Sequence, residues 1–144
     1  MTPTTSGRQI GFLPLYLAFA LALVSTLGAL FIGEVLGQTP CVLCWYQRIA
    51  MFPLALILGI SALTEDPGVR RYALPLALAG GAVALWHSGL YAGFLPEAVA
   101  PCTREGPSCT DAAMTILGLP LPYLSLAAFA GVVLCLLSAK GSRA

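Results

Sequence analysis

Charge is scarce in this sequence. Of its 144 residues, 7 are basic and 6 are acidic, so that charged residues make up 9% of the chain; a typical soluble domain carries roughly 25%. A chain of this length leaves much of its surface exposed after folding, and so few charges cannot cover that surface in water. The formal net charge is only +1, and the sequence contains no stripe of basic residues. The composition therefore excludes an ordinary soluble domain and a nucleic-acid-binding protein.

Hydrophobic residues, in contrast, make up 58% of the chain and gather in four long runs. A membrane-spanning helix needs about 20 mostly apolar residues, and the runs of this length are residues 11–33, 43–63, 72–95 and 119–139. The first run is longer than the apolar region of a cleaved signal peptide, roughly 7–15 residues, so we interpret it as a retained span. The sequence predicts an all-α polytopic membrane protein, a single domain over residues 1–144 that forms a bundle of four transmembrane helices with two extracytoplasmic loops.

The basic residues predict the orientation of this bundle. With four spans, both termini and the middle loop share one side of the membrane, and five of the basic residues fall there: Arg8, Arg70, Arg71, Lys140 and Arg143. The other side holds Arg104, with Arg48 at its membrane edge. Because cytoplasmic loops carry the excess of Lys and Arg, we expect cytoplasmic termini, with residues 34–43 and 96–118 outside. Within the second outer loop, residues 110–118 predict a short surface helix, because a capping residue, an early acid and a closing glycine follow in order.

Four of the five cysteines fall on the predicted outer face. Cys41 and Cys44 form a Cys-x-x-Cys motif where the first outer loop meets the second span, and Cys102 and Cys109 lie in the second outer loop. In a bacterial envelope this is the oxidising side, on which disulfides persist. The fifth, Cys135, lies inside the fourth span, and we expect it to be a small apolar packing residue.

The surroundings of Cys44 are those of a reactive cysteine. It falls in the first turn of a predicted helix, where free N–H groups and the helix dipole favour a thiolate. Arg48, four residues later, lies over the same helix face. A plain stabilising disulfide and a four-cysteine zinc site are the alternatives. The six residues between Cys102 and Cys109 exceed the two to four that zinc sites favour, so the sequence predicts no metal site.

Two ionisable side chains lie within the predicted spans. Arg48 is roughly 7 Å and His87 roughly 12 Å below the outer boundary, at 1.5 Å per helical residue. An ionisable residue inside a membrane indicates a functional site by default, although Arg48 could be a snorkelling anchor and His87 a hydrogen-bonded core histidine. Their shared depth beside Cys44 predicts a cationic site with apolar edges. Such a site suits a lipid-soluble carbonyl compound that becomes negative on reduction, namely a quinone, either ubiquinone or menaquinone.

The motifs together resemble the DsbB family of bacterial membrane thiol oxidases, and among them the shorter BdbC-like members. The matching segments are CVLCWYQR at 41–48, the Cys102 and Cys109 pair between the third and fourth spans, and LGLP at 117–120. With four spans in the same order, the resemblance covers nearly the whole chain. In the related vitamin K epoxide reductases the Cys-x-x-Cys motif follows the loop pair, whereas here it comes first.

The resemblance implies a division of labour between two disulfides, Cys41–Cys44 and Cys102–Cys109. Cys44 would engage the quinone ring and Arg48 would hold a ring oxygen, and His87 matches a third-span histidine near the quinone in some members. Cys102 would form a mixed disulfide with a DsbA-like thioredoxin-fold partner, in the cell membrane of a bacterium. The function implied is that of a protein dithiol:quinone oxidoreductase, which generates disulfides. A membrane transporter with structural disulfides and a metal-handling membrane protein are the alternatives.

Overall fold

Four long helices form most of the computed structural model, which describes residues 5–96 and 115–139, with side chains from residue 11 onward. The helices are α1 (Thr5–Leu30), α2 (Val42–Thr64), α3 (Arg70–Tyr91) and α4 (Leu121–Ser138). A π-helical segment, Phe31–Val35, continues α1, and a 3-10 turn, Pro67–Val69, precedes α3. In the part of the chain that the structure describes, four helices are long and apolar enough to cross a membrane. The predicted four-helix membrane bundle is therefore confirmed.

Each helix packs against two others, so that the bundle closes into a ring. Helix α1 contacts α2 and α4, and α3 contacts the same two helices from the other side. The largest buried side chains of the main core come from α2 and α4; they are Leu54, Leu58, Phe129, Val132 and Leu136. Large apolar side chains such as Val24, Leu63 and Leu134 point outward and are exposed, as a surface in contact with lipid requires.

The structure corrects two details of the sequence prediction near the end of the bundle that carries the Cys41 motif. Helix α3 ends at Tyr91, four residues before the predicted end of the third span, and Gly93 follows it with a φ of +80°. The short helix predicted over residues 110–118 is wrong where the structure describes that segment. Residues Thr115–Ile116 (β1) and Leu119–Pro120 (β2) instead form a two-stranded antiparallel hairpin that leads into α4.

The hairpin arises from the backbone of its two turn residues. Leu117 and Gly118 have φ angles of +52° and +81°, and a tight two-residue turn with positive φ at both central positions matches the twist of the flanking strands. The sequence predicts that Gly118 ends a helix, but in the structure this glycine is the second central residue of the turn. The hairpin brings Ile116 to the end of the bundle that carries the Cys41 motif.

The opposite end of the bundle is a short connection between α2 and α3. Ser61 donates a hydrogen bond to the Asp66 carbonyl, and the Asp66 side chain accepts one from the Gly68 N–H at 2.8 Å. Arg70 and Arg71 begin α3 at this end. The two arginines therefore lie at the end of the bundle opposite the Cys41 motif.

Small residues allow the helices to approach closely in the middle of the bundle. Gly80 of α3 lies where a Cβ atom would overlap the Phe129 ring of α4 and come within 2.8 Å of the Ala50 Cβ of α2. Three helices therefore meet at this glycine. Close approach through small residues is how helices in membranes gain packing energy, since lipid provides no hydrophobic drive between them.

We expect Gly80→Ala to destabilise the bundle by ~1–3 kcal/mol, the usual range for overpacking. The matched control is Gly81→Ala, because a Cβ atom there would meet Phe129 at an ordinary 3.5 Å. Thermal unfolding of both variants in detergent micelles measures the difference. Equal unfolding temperatures for the two variants would show that α3 and α4 are not tightly packed at Gly80.

Candidate functional site

A cysteine caps the amino-terminal end of α2. Cys41 has extended backbone angles and its Sγ atom accepts a hydrogen bond from the Cys44 N–H at 3.3 Å, as serine or aspartate oxygens do at other helix starts. The same turn brings the Cys41 and Cys44 sulfur atoms to 2.8 Å, and a disulfide bond would need about 2.05 Å. The first turn of α2 therefore assembles a dithiol that is ready to form a disulfide.

The surroundings of Cys41 favour a negative sulfur. The Cys44 thiol donates the hydrogen bond that contributes most to lowering the pKa of Cys41 to about 5; burial opposes this shift, while the His87 ring and the Cys44 backbone N–H reinforce it. The His87 Nε2 atom lies 3.9 Å from the Cys41 Sγ atom. On the basis of the helix dipole and of Arg48, the sequence predicts a thiolate at Cys44. In the structure the hydrogen-bond donors lie around the Cys41 sulfur instead, because Cys41 is at the capping position and its sulfur accepts from the Cys44 N–H.

A chain of polar side chains crosses the bundle behind this pair. Ser125 of α4 donates a hydrogen bond of 2.6 Å to the Gln47 carbonyl oxygen, and the Gln47 amide nitrogen lies 3.0 Å from the His87 Nδ1 atom. Gln47 and His87 are both buried. We call Ser125, Gln47 and His87 the polar chain. It joins α4, α2 and α3 at the depth of the cysteines.

Arg48 directs its guanidinium group toward the end of α1. It donates a hydrogen bond of 2.9 Å to the Ala29 carbonyl and lies over the Trp45 ring, 5.6 Å from the ring centroid. A Cβ atom at Gly33 would come within 3.2 Å of the guanidinium, so the π-helical segment leaves space for it. The contacts differ from those of a side chain that snorkels into water, because they hold the charge at the edge of a cavity.

The cavity has a volume of about 520 Å³ and lies between α1, α2 and α4. Its wall is mostly apolar and carries a few polar side chains. On α2 the cavity is lined by Cys44, Gln47, Arg48, Met51 and Phe52. Ser125 faces it from α4 and Ile116 from the hairpin, and exposed Gln38 and Thr39 mark its outer edge. A largely apolar cavity with a few convergent polar groups is typical of a site for a small organic molecule.

The predicted site residues separate into two groups in the structure. Cys44 and Arg48 line the cavity, whereas Cys41 and His87 lie behind them and are absent from its described lining. Cys102 and Cys109 lie outside the described residues. Cys135 packs against the main core as a partly buried side chain, which agrees with the predicted packing role.

Sequence reasoning missed two residues of the site, Gln47 and Ser125. Both are polar residues inside apolar spans, and such residues often form hydrogen bonds between membrane helices. That signal marks them as candidates. However, Gln47 is 40 residues from its partner His87 and 78 residues from its partner Ser125 along the chain. Only the packed bundle identifies those partners.

Three atoms of the site form a set that could coordinate a metal ion. The two sulfur atoms of Cys41 and Cys44 and a ring nitrogen of His87 all lie within 4.8 Å of one another. Thiolate and imidazole are ligands suited to soft or borderline ions such as Zn²⁺. This set differs from the four-cysteine site considered from the sequence, because it takes one cysteine pair and a histidine.

Comparison with known proteins points to one family. A family model described as "Disulfide bond formation protein DsbB" matches residues 12–139. A "Probable disulfide formation protein" of Metapseudomonas resinovorans is 51% identical over 95% of this chain and 94% of its own length. A "Disulfide bond formation protein C" of Bacillus subtilis (strain 168) is 36% identical over 90% of this chain and 94% of its own length. No solved structure matches the chain.

We expect acid titration of the reduced protein to remove one thiolate near pH 5, because the pKa of Cys41 is lowered to about 5. The sign follows from the direction of the shift: the thiolate is present above this pH and protonates as the pH falls through it. Thiolate ultraviolet absorbance measures the change, in a background with Cys102→Ser and Cys109→Ser. Adding Cys41→Ser should abolish the transition, and a midpoint near the ordinary cysteine value of about 8.5 would contradict the prediction.

Proposed function

Because the chain belongs to the DsbB family of disulfide bond formation proteins, we propose that it oxidises the dithiol of a DsbA-like thioredoxin-fold protein and passes the electrons to a membrane quinone. The observation that carries this proposal is the position of the Cys41–Cys44 pair. Cys44 lines a largely apolar cavity beside the partly buried Arg48 guanidinium, and Cys41 lies behind it, with its sulfur 2.8 Å from that of Cys44.

The cavity fits the chemistry of a quinone. Its apolar wall suits a lipid-soluble ring, and the Arg48 guanidinium at its edge is a charged hydrogen-bond donor for an oxygen that becomes negative on reduction. Cys44 lines the cavity, so its sulfur is placed to meet the ring. A quinone supplies the electron sink: it accepts two electrons and two protons as the Cys41 and Cys44 thiols become a disulfide.

The protein steps are thiol–disulfide exchanges. A thiolate of the partner attacks the Cys102–Cys109 disulfide and forms a mixed disulfide with Cys102. The partner's second thiol then attacks this mixed disulfide, which closes the partner's own disulfide and releases Cys102 as a thiol. The loop dithiol then reduces the Cys41–Cys44 disulfide in the same way. Each exchange breaks one S–S bond and forms another, so electrons move from the partner to the pair beside the cavity.

The orientation of the chain follows from its basic residues. We place both termini and the α2–α3 connection in the cytoplasm, since that side carries five of the seven Lys and Arg residues. The Cys41 motif and the hairpin lie at the end opposite Arg70 and Arg71. This arrangement puts the cysteine pair toward the oxidising outer face of the membrane, where a soluble thiol partner has access.

A metal-handling membrane protein is the second candidate, and the Cys41, Cys44 and His87 set favours it. The two functions differ in the state of the cysteines. A quinone-linked oxidase cycles Cys41 and Cys44 between dithiol and disulfide, whereas a metal-handling protein keeps them as thiols with an ion bound. Mass spectrometry of the purified protein under native and denaturing conditions separates the two.

We expect Gly28→Phe to raise the apparent KM for a short-chain quinone by about tenfold, which corresponds to ~1.4 kcal/mol of binding free energy. Gly28 lines the cavity, and a side chain there would meet no atom within 4 Å, so the ring occupies space that the quinone needs. Quinone absorbance in micelles, with a reduced thioredoxin-fold protein as electron donor, gives the rates.

The matched control for this prediction is Gly11→Phe. It makes the same exchange on the same helix, also with no atom within 4 Å of the new Cβ, but outside the cavity lining. We expect its KM to equal that of the unaltered protein. A normal KM in Gly28→Phe, or the same increase in both variants, would place the quinone elsewhere.

We expect Cys109→Ser to accumulate a disulfide-linked adduct between Cys102 and the partner, because the resolving thiol of the loop is gone. Non-reducing gels of cells that contain both proteins, followed by mass spectrometry of the cross-linked peptide, identify the bond. Cys102→Ser is the comparison variant and should form no such adduct. An adduct in Cys102→Ser alone would reverse the roles of the two loop cysteines.

A further inference from the structure

The direction of the hydrogen bonds in the polar chain determines which nitrogen of His87 carries its proton. The Ser125 hydroxyl donates to the Gln47 carbonyl oxygen at 2.6 Å, which leaves the Gln47 amide nitrogen, a donor only, 3.0 Å from the His87 Nδ1 atom. The Nδ1 atom must therefore accept. The ring proton of neutral His87 then lies on Nε2, the atom that faces the Cys41 sulfur at 3.9 Å.

From this geometry we propose that Ser125 and Gln47 are positioning residues that hold His87 in its Nε2–H form, so that the ring donates to Cys41 and maintains that sulfur as a thiolate. The use of this thiolate rests on the proposed thiol oxidase function. The proposal assigns His87 to the cysteine that lies behind the cavity rather than to the quinone.

The burial of the chain explains why such an arrangement is needed. Cys41 lies in a small apolar cluster with Leu43 and Leu90, and an ionised sulfur in apolar surroundings is costly unless donors surround it. His87 is 1% exposed and Gln47 is 7% exposed, so water does not compete for the hydrogen bond between them. In such surroundings each bond in the chain polarises the next.

Among the charged and titratable groups around Cys41 in the described residues, His87 is the hydrogen-bond donor that lies outside the Cys-x-x-Cys turn. The groups that act on it from the described residues are Cys44, on the same helix, and His87, on α3. Arg48 acts on Cys44 and donates to Ala29. Among the described residues, the ring of His87 is therefore the contribution to the Cys41 thiolate that comes from outside the Cys-x-x-Cys turn.

The thiolate at Cys41 has a defined use in the proposed reaction. Closing the Cys41–Cys44 disulfide forms one S–S bond and breaks both S–H bonds, and the two electrons and two protons that are released pass to the quinone. Cys44 lines the cavity and Cys41 does not, so Cys41 is the sulfur that attacks from behind. The thiolate is the attacking form in such exchanges.

The test measures the Cys41 thiolate by ultraviolet absorbance as a function of pH, with neither quinone nor partner present. The background carries Cys44→Ser, Cys102→Ser, Cys109→Ser and Cys135→Ala, so that Cys41 is the only thiol, and a Cys41→Ser sample gives the blank. We expect His87→Phe to raise the midpoint by about one pH unit, a tenfold loss in the ratio of thiolate to thiol. Gln47→Leu should raise it by less, and Ser125→Ala by the least.

Ser88→Ala is the matched control for Ser125→Ala. Ser88 is a buried serine that joins α3 to α4, through a hydrogen bond of 3.1 Å to the Pro122 carbonyl, just as Ser125 joins α4 to α2, but it is not in the polar chain. Its removal should leave the midpoint unchanged. Equal shifts in Ser88→Ala and Ser125→Ala, or no shift in His87→Phe and Gln47→Leu, would overturn the proposal.

A second measurement needs no substitution in the polar chain. The sequence has a single histidine, so nitrogen-labelled histidine gives one pair of ring signals in nuclear magnetic resonance, provided that the purification tag contains none. We expect the neutral Nε2–H form, and the Nδ1–H form would overturn the proposal. Because neither experiment contains quinone, a failed quinone assay with these results intact would refute the proposed function and leave the assignment of His87 standing.

Discussion

Helix α2 begins inside apolar surroundings, and its first N–H groups need an acceptor there. In most helices that acceptor is an oxygen of serine, threonine, aspartate or asparagine; here it is the Cys41 sulfur. This one hydrogen bond fixes the start of the helix, brings the second cysteine into the first turn and sets the rotation of every residue that follows. The cysteine pair is therefore part of the helix cap itself.

That rotation places several cavity-lining residues on one face of α2. Cys44, Gln47, Arg48 and Met51 all line the cavity, and their spacing of three, four and seven residues places them on one helix face. One residue of extra or missing chain before Cys44 would turn this face by about 100°. The start of α2 thus determines both the position of the cysteine pair and that of the polar side chains that line the cavity.

Local patterns in the sequence predict much of this molecule. Mostly apolar runs of sufficient length predict the four helices, and the spacing of Cys44 and Arg48 predicts that these two residues share one site. The rest depends on contacts between distant segments. The donors that favour Cys41 over Cys44 include His87 from another helix, and Ser125 becomes a site residue only because α4 packs beside α2. The hairpin over Thr115–Pro120 was missed because Gly118 suits a helix end and a tight turn equally well, and only its partner strand decides between them.

The site and the tightest packing of the bundle lie in adjacent layers of the same three helices. Ala50, Gly80 and Phe129 form one layer of α2, α3 and α4, and Gln47, His87 and Ser125 form the next. The separations are three, seven and four residues, or about 4.5, 10.5 and 6 Å at 1.5 Å per residue. On every helix the polar residue lies toward the end of the bundle that carries Cys41.

Because the two layers are close together, Gly80 also affects the hydrogen bonds of the polar chain. The hydrogen bonds of the polar chain, at 2.6 and 3.0 Å, tolerate little change in the distance between helices, because bonds of this kind weaken steeply outside their normal geometry. A glycine that brings α3 into contact with α2 and α4 one or two turns below therefore sets the spacing on which those bonds depend. The apolar layer of the bundle holds the helices at the distance at which a serine, a glutamine and a histidine can act together on one sulfur.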